Sequence, residues 1–347
     1  MDLSTRYLGL TLRNPLVASP SPMSQTVDGV QRMADGGVGA VVLYSLFEEQ
    51  LLRNAERDSR LAEAGTEIFG EALSYFPDEV DPAESDPGPR QYLSLLERSA
   101  NAVGIPVIGS LNGVTPGGWS RYAMDMQNAG AAAIELNIYY LPGDPHITGR
   151  EVEQRHLDVL DSVKQSVTIP VAIKLSPYFS AMSEMAVRLD EAGADGLVLF
   201  NRFLQPDIDP ETLKVASAVG LSRPSEGRLT RTWISLLHGR VQASLAATTG
   251  VEHVADLVAY LLAGADVVMT TSALLRHGPK HAQVLLDGLE VWMRHRGFDT
   301  VEAMRGLLAT PTGEDHTEHE RSGYVSAMRK ANSGGYGSWW VSNRRHG

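Results

Sequence analysis

Eight short apolar runs separated by helical stretches constrain this chain more than any other feature. They are Pro15–Ser19, Ala40–Ser45, Pro106–Asn112, Ala133–Ile138, Val171–Ser176, Gly196–Asn201, Val241–Ala246 and Asp266–Thr271. Each is almost continuously apolar rather than alternating, as parallel strands covered on both faces must be, and most follow a Gly or Pro breaker. The segments between them read as helices, among them Gly118–Ala129, Val152–Ser166, Ala181–Ala192 and Val251–Ala263. The last carries Val254, Leu257, Val258, Leu261 and Leu262 at helical spacing. Eight strands alternating with helices predict an α/β fold: a single eight-stranded β/α (TIM) barrel rather than an open doubly wound sheet.

A barrel of about 250 residues leaves part of the chain over. Two insertions, at about 53–90 and 205–233, are read as long loops over the C-terminal mouth, the first ending in the acid- and Pro-rich stretch Asp78 to Pro89. The barrel is expected over 1–310, followed by a polar tail, 311–347, whose Trp339 and Trp340 either dock or end a disordered segment.

Composition removes several function classes. With no cysteine among 347 residues, disulfides, thiolate metal sites, cysteine nucleophiles and iron–sulfur ligation on this chain are excluded. A net charge of −12 argues against a nucleic-acid partner, which needs clustered Lys and Arg. The longest apolar stretch, Leu257 to Met269, is broken by Asp266 and falls short of the ~18 residues a membrane span needs, so no membrane partner is expected. The first residues lack a basic patch followed by an apolar core, and a cytoplasmic location is expected.

In a barrel of this type the working groups lie at the C-terminal ends of strands. Those positions hold Ser19, Tyr44, Ser45, Asn112, Asn137, Lys174, Asn201, Thr248-Thr249-Gly250 and Thr270-Thr271-Ser272. Amides and hydroxyls dominate; no carboxylate pair, His cluster with ligand spacing or nucleophile elbow is present. Thr248-Thr249-Gly250 and Thr270-Thr271-Ser272 each precede a helix, after strands seven and eight, where barrels bind phosphate; simple N-capping is the competing reading. Lys174 closes a run that should be buried. An unpaired buried ammonium costs several kcal/mol, so it requires an anionic partner, an electron-rich cofactor ring to bond, a Schiff-base role, or a path for its head group to water.

Several segments together resemble one family. Asn14 to Ser19, Glu135-Leu136-Asn137, Pro170 to Ser176, Gly193-Ala194-Asp195-Gly196 running to Asn201, and Ala263-Gly264-Ala265-Asp266 are similar to successive signatures of dihydroorotate dehydrogenases. Leu46-Phe47-Glu48-Glu49-Gln50 and Ala243 to Gly250 resemble a bacterial branch termed dihydroorotate-dehydrogenase-like. The resemblance covers roughly residues 3 to 300 and implies FMN across the barrel mouth, on a flavin-dependent oxidoreductase of CH–CH donors tied to pyrimidine biosynthesis. It further implies flavin contacts from Ala18, Ser19, Ser45, Asn112, Asn137 and Lys174, with phosphate held by Thr248, Thr249, Gly250, Thr270, Thr271 and Ser272. A homo-oligomer, a small-molecule substrate and a separate redox partner are expected with it.

The substrate half departs from the pattern. Where the family continues from Glu-Leu-Asn into Ser-Cys-Pro-Asn, this chain reads Tyr139-Tyr140-Leu141-Pro142, and Tyr44 stands where a flavin-side lysine is usual. A tyrosinate base at pH 7 would cost roughly 4 kcal/mol for an ordinary phenol, whereas a neutral phenol can act as an acid without any shift. Tyr139 or Tyr140 is therefore expected either to donate a proton during reduction of an activated C=C bond or to wall the pocket. His146 is the better base on energetic grounds. Tyr44 and Asn201 are expected at the substrate. Dihydroorotate oxidation with a replaced base, Schiff-base chemistry at Lys174, and a non-catalytic flavin-binding subunit are the competing readings.

Overall fold

The eight runs close into a barrel in the computed structural model, which describes residues 1–51, 88–113, 115, 119–202, 207–216, 220–313 and 316–330. The chain opens with an antiparallel hairpin, β1 (Thr5–Tyr7) and β2 (Leu10–Leu12). The barrel strands follow: β3 (Leu16–Ala18), β4 (Ala40–Val42) with a short continuation β5 (Leu46–Phe47), β6 (Val107–Gly113), β7 (Ala133–Ile138), β8 (Val171–Leu175) and β9 (Gly196–Leu199). A second hairpin, β10 (Asp207–Asp209) and β11 (Lys214–Ala216), precedes the last two barrel strands, β12 (Ser244–Ala247) and β13 (Val267–Thr270). Every barrel pairing is parallel, and contacts of β4 with β6 and of β13 with β3 close the ring.

Helices α1 (Val27–Asp35), α2 (Pro89–Ala102), α3 (Trp119–Asn128), α4 (Gly149–Lys164), α5 (Met182–Glu191), α6 (Gly227–Leu237) and α7 (Val254–Ala263) lie between the strands. After β13 come α8 (Ser272–His277), α9 (His281–Arg296) and α10 (Val301–Met304). All these elements belong to one compact unit, Met1–Ala309; a second, Thr310–Gly347, contains α11 (His316–Lys330). Among the described residues no helix is long and apolar enough to cross a membrane.

Two apolar layers hold the first unit together. Outward-facing strand residues such as Ile134 and Leu136 pack against helix residues such as Val159 and Leu160. Inside the ring, Val17, Val42, Ile108, Val198, Val267 and Met269 form a separate cluster with Tyr7, Leu8 and Leu12 of the first hairpin. Leu8, at φ 54°, donates its amide to Ser244 Oγ at 3.0 Å and drives its side chain against Gly196, where an added Cβ would stand 2.5 Å from Leu8 Cδ2. The hairpin thus plugs the N-terminal end of the barrel and leaves the other end open. The alternation rule cannot reveal this plug, because three-residue strands carry too little pattern.

Some sequence signatures serve the scaffold. Asp195 accepts from the Val171 amide at 2.7 Å and pairs with Lys164, while Asp266 accepts from the Leu245 amide at 2.7 Å and pairs with Arg305. The two Gly-Ala-Asp segments therefore tie adjacent strand starts together at the closed end.

The second insertion is shorter than the sequence suggests. Residues 205–233 hold the β10–β11 hairpin but also most of α6, whose Gly227, Thr230, Ile234 and Leu237 form a buried stripe at helical spacing. Arginines and threonines among these positions hide that stripe from hydropathy alone. Most of the first insertion, with its acidic stretch, and Trp339 and Trp340 lie outside the described residues.

Helix α4 begins with a capping box between Thr148 and Glu151 and buries His156, whose Nδ1 lies 2.8 Å from the Val152 carbonyl and whose ring meets Phe179 edge-on at 5.1 Å. Desolvation, the largest influence, holds the His156 pKa below the ordinary histidine value, so the fold prefers the neutral ring. Its contribution to stability is complete above about pH 6.5 and is lost as pH falls through the folded-state value, with a slope of at most ~1.4 kcal/mol per pH unit. Urea unfolding at pH 7 and pH 5 is expected to show a smaller acid loss in His156→Leu than in the parent chain; equal losses would remove His156 as a contributor.

Candidate active site

The open end of the barrel carries an open cleft of about 140 Å³. Nine residues expected from the sequence line it together: Ser19, Lys174, Asn201, Thr248, Thr249, Gly250, Thr270, Thr271 and Ser272. Their convergence follows from topology, since β8, β9, β12, β13 and β3 are consecutive around the ring.

Lys174 points inward from β8 and is 8% exposed. Its Nζ lies 3.3 Å from Glu135 Oε1, and Glu135, on β7, is 1% exposed with Oε2 lacking any hydrogen-bond partner among the described residues. Glu135 thus partly supplies the anionic partner that the burial of Lys174 requires. Strand parity is the signal that finds it, because Glu135 lies two residues before Asn137 and shares its face. Asn137, the register neighbour of Lys174, accepts a 2.8 Å hydrogen bond from Asn201 Nδ2.

The hydroxyls at the far side are committed to the loops. Thr248 Oγ1 donates to the Phe200 carbonyl at 2.7 Å, Thr270 Oγ1 to Val251 at 3.0 Å, and Thr271 Oγ1 to Ser19 at 2.9 Å. Ser272 Oγ receives both the amide and the hydroxyl of Ser222, each at 3.0 Å. These hydroxyls do not cap by side chain: α7 starts at Val254 with His253 as its cap residue, and the Thr271 side chain makes no cap bond to α8. The first amides of α8 consequently lack intrahelical acceptors beside the cleft.

Thr249 and Gly250 both have positive φ, 75° and 70°. A Cβ on Gly250 would stand 2.7 Å from the Arg223 carbonyl oxygen and 2.8 Å from the Gly227 nitrogen, so the 222–227 segment closes on this turn only because the residue is glycine. From below, the buried Tyr260 hydroxyl sits 3.0 Å from the Thr248 carbonyl and 2.6 Å from that of Thr249; burial raises its pKa and keeps it a donor. Ser222 and Arg202 also line the cleft and escaped the sequence reading, because they belong to the irregular segment after β9. Arg202 Nε pairs with Glu226 at 3.0 Å on the rim.

The remaining expected residues lie around this centre. Ala18 is buried at the end of β3, and Ser45 Oγ lies 2.9 Å from Ser110 Oγ. Asn112, next to last in β6, lies beside Asn137, and Tyr44 packs edge-on against Tyr92 at 5.1 Å. Tyr139 and Tyr140 directly follow β7 and are half-buried; Arg155 lies over the Tyr140 ring, 4.1 Å from its centroid. His146 is exposed in the loop before α4, its amide bonded to Asp144. None of Tyr44, Tyr139, Tyr140 or His146 lines this cleft.

An ammonium with a half-satisfied counter-charge, two linked carboxamides and an uncapped helix start form a donor set for a planar ligand bearing polar edges and a phosphate. The family model described as Dihydroorotate dehydrogenase matches residues 85–293. Dihydroorotate dehydrogenase B (NAD(+)), catalytic subunit, of Methanothermobacter thermautotrophicus is 27% identical over 324 residues, covering 88% of this chain and 98% of that protein. The protein of the same name from Methanocaldococcus jannaschii is 27% identical over 316 residues, 88% of this chain and 97% of its own length. NAD-dependent dihydropyrimidine dehydrogenase subunit PreA of Escherichia coli K12 is 24% identical over 320 residues, 88% of this chain and 76% of its length.

Proposed function

Because this chain belongs to the dihydroorotate dehydrogenase family, we propose that it is an FMN-dependent oxidoreductase acting on a CH–CH or C=C bond of a small heterocyclic or carbonyl-activated substrate. The family makes it a dehydrogenase acting on CH–CH donors. The observation that carries the cofactor reading is the single cleft that unites Lys174 with the uncapped start of α8.

When bound, FMN supplies hydride transfer to or from carbon. Lys174 and Asn137 would face the polar edge of the ring, with Asn201 fixing the Asn137 amide so that its remaining polar atoms are aimed. Backbone amides from Thr271 onward, together with the Thr249–Gly250 turn, would hold the phosphate. The Thr248, Thr270 and Thr271 hydroxyls keep those turns in place through the carbonyls they bond.

Tyr139 or Tyr140 serves as the proton donor to substrate carbon. Both follow β7 directly after Asn137 and Ile138, at the strand end where the family carries its base. Replacing the effective tyrosine with Phe is expected to lower substrate reduction ~10²-fold while leaving flavin bound, as loss of a general acid does. Unchanged turnover in both Tyr139→Phe and Tyr140→Phe would remove this role.

Dihydroorotate itself is the second reading, favoured by the names of the relatives. Anaerobic mixing of the yellow protein with dihydroorotate decides between them: bleaching supports dihydroorotate oxidation, and retained colour supports an altered substrate. The relatives named as a catalytic subunit and as a subunit also support a separate redox partner for this chain.

A further inference from the structure

Among the described residues, the Glu135 carboxylate is a buried charged group with one oxygen, Oε2, that has no hydrogen-bond partner. It is 1% exposed, and its other oxygen meets Lys174 Nζ at 3.3 Å. Its register neighbours are Ser110 and Ala172, neither of which carries a charge. The nearby phenols of Tyr7 and Tyr92 are fully buried and held in their neutral form by that burial. Among the described residues, Lys174 is its sole ion-pair partner.

Half-satisfied buried carboxylates are costly, and a well-packed apolar residue would serve the scaffold at least as well. Register places Glu135 one interior step deeper than Lys174, level with Ala172, so the carboxylate meets the ammonium from the plugged side. The open side of the same ammonium faces the cleft.

We infer that Glu135 is a positioning residue that acts through Lys174, holding its ammonium beneath the barrel mouth and cancelling part of the positive charge that a bound flavin meets. This rests on the flavin reading above and adds a determinant of redox poise to it. Because reduction adds negative charge to a flavin, a lysine shared with a carboxylate favours the reduced form less than an unshared one.

The test uses the full chain loaded with FMN and reads the two-electron midpoint potential. Glu135→Gln keeps the shape and removes the charge. The reduced-over-oxidised binding preference is expected to rise at least ~10-fold, an upward shift of about 30 mV for a two-electron couple. Glu135→Asp, which withdraws the charge by one methylene, is expected to give a smaller rise of about 3-fold, and it reads the same effect should the Gln variant not fold. A purely structural glutamate would change the unfolding midpoint and leave the potential alone. Parent protein that holds FMN, with folded variants within twofold of its preference, overturns this inference while the flavin reading stands. A parent chain that holds no FMN overturns both.

Discussion

Lys174→Met is expected to destabilise the chain by ~3–5 kcal/mol in denaturant unfolding, because it strands the Glu135 carboxylate among apolar neighbours with both oxygens unpaired. The loss is expected to come mainly from the abandoned carboxylate rather than from the missing ammonium. The double variant Lys174→Met with Glu135→Leu should therefore recover most of it, as buried ion pairs replaced by packed apolar residues often do. A double variant as unstable as the single would show that the pair itself stabilises the barrel. Recovery of the fold should not bring back the site, because the cleft would then have no cation at its base.

Gly250→Ala is the second large effect. The left-handed backbone costs an alanine ~1 kcal/mol, and its Cβ would meet the Arg223 oxygen and the Gly227 nitrogen at 2.7 and 2.8 Å, both backbone atoms. The 222–227 segment must move, breaking the Gly250 amide bond to Ser222 Oγ at 3.2 Å and disturbing Ser222 against Ser272. A loss of ~2–4 kcal/mol is expected, with flavin affinity falling at least ~10-fold. Gly297→Ala separates the two causes, because Gly297 has φ 78° with nothing within 4 Å of an added Cβ. It should show the backbone cost alone, with flavin affinity unchanged. Equal effects of the two substitutions would place the cost in backbone conformation and remove the steric argument.

The barrel was legible because its strands, covered on both faces, read as unbroken apolar runs: five needed only trimming at their ends, Ala133–Ile138 needed none, and Pro106–Asn112 falls one residue short of the end of β6 at Gly113. Val241–Ala246 was placed early, since β12 begins at Ser244 and ends at Ala247. The plugging hairpin and α6 were not legible. The hairpin is too short to show a period, and α6 interleaves arginines with its buried stripe. Within the site, strand-end position alone brought nine residues to one cleft. What it missed were partners set by geometry: Glu135 beneath Lys174, Tyr260 beneath the Thr248–Thr249 turn, and Ser222 with Arg202 from an irregular segment. Residue type marks a hydroxyl as a donor, and the fold adds that the Thr248, Thr270 and Thr271 hydroxyls bond backbone carbonyls.

The absorption spectrum of the purified full chain, after incubation with excess FMN and removal of unbound ligand, tests the central claim most directly. Retention of flavin absorbance at about one equivalent per chain, lost or much reduced in Gly250→Ala and in the Lys174→Met/Glu135→Leu pair, is the result expected of a cleft that holds the cofactor at both ends. A colourless parent chain under those conditions would contradict it.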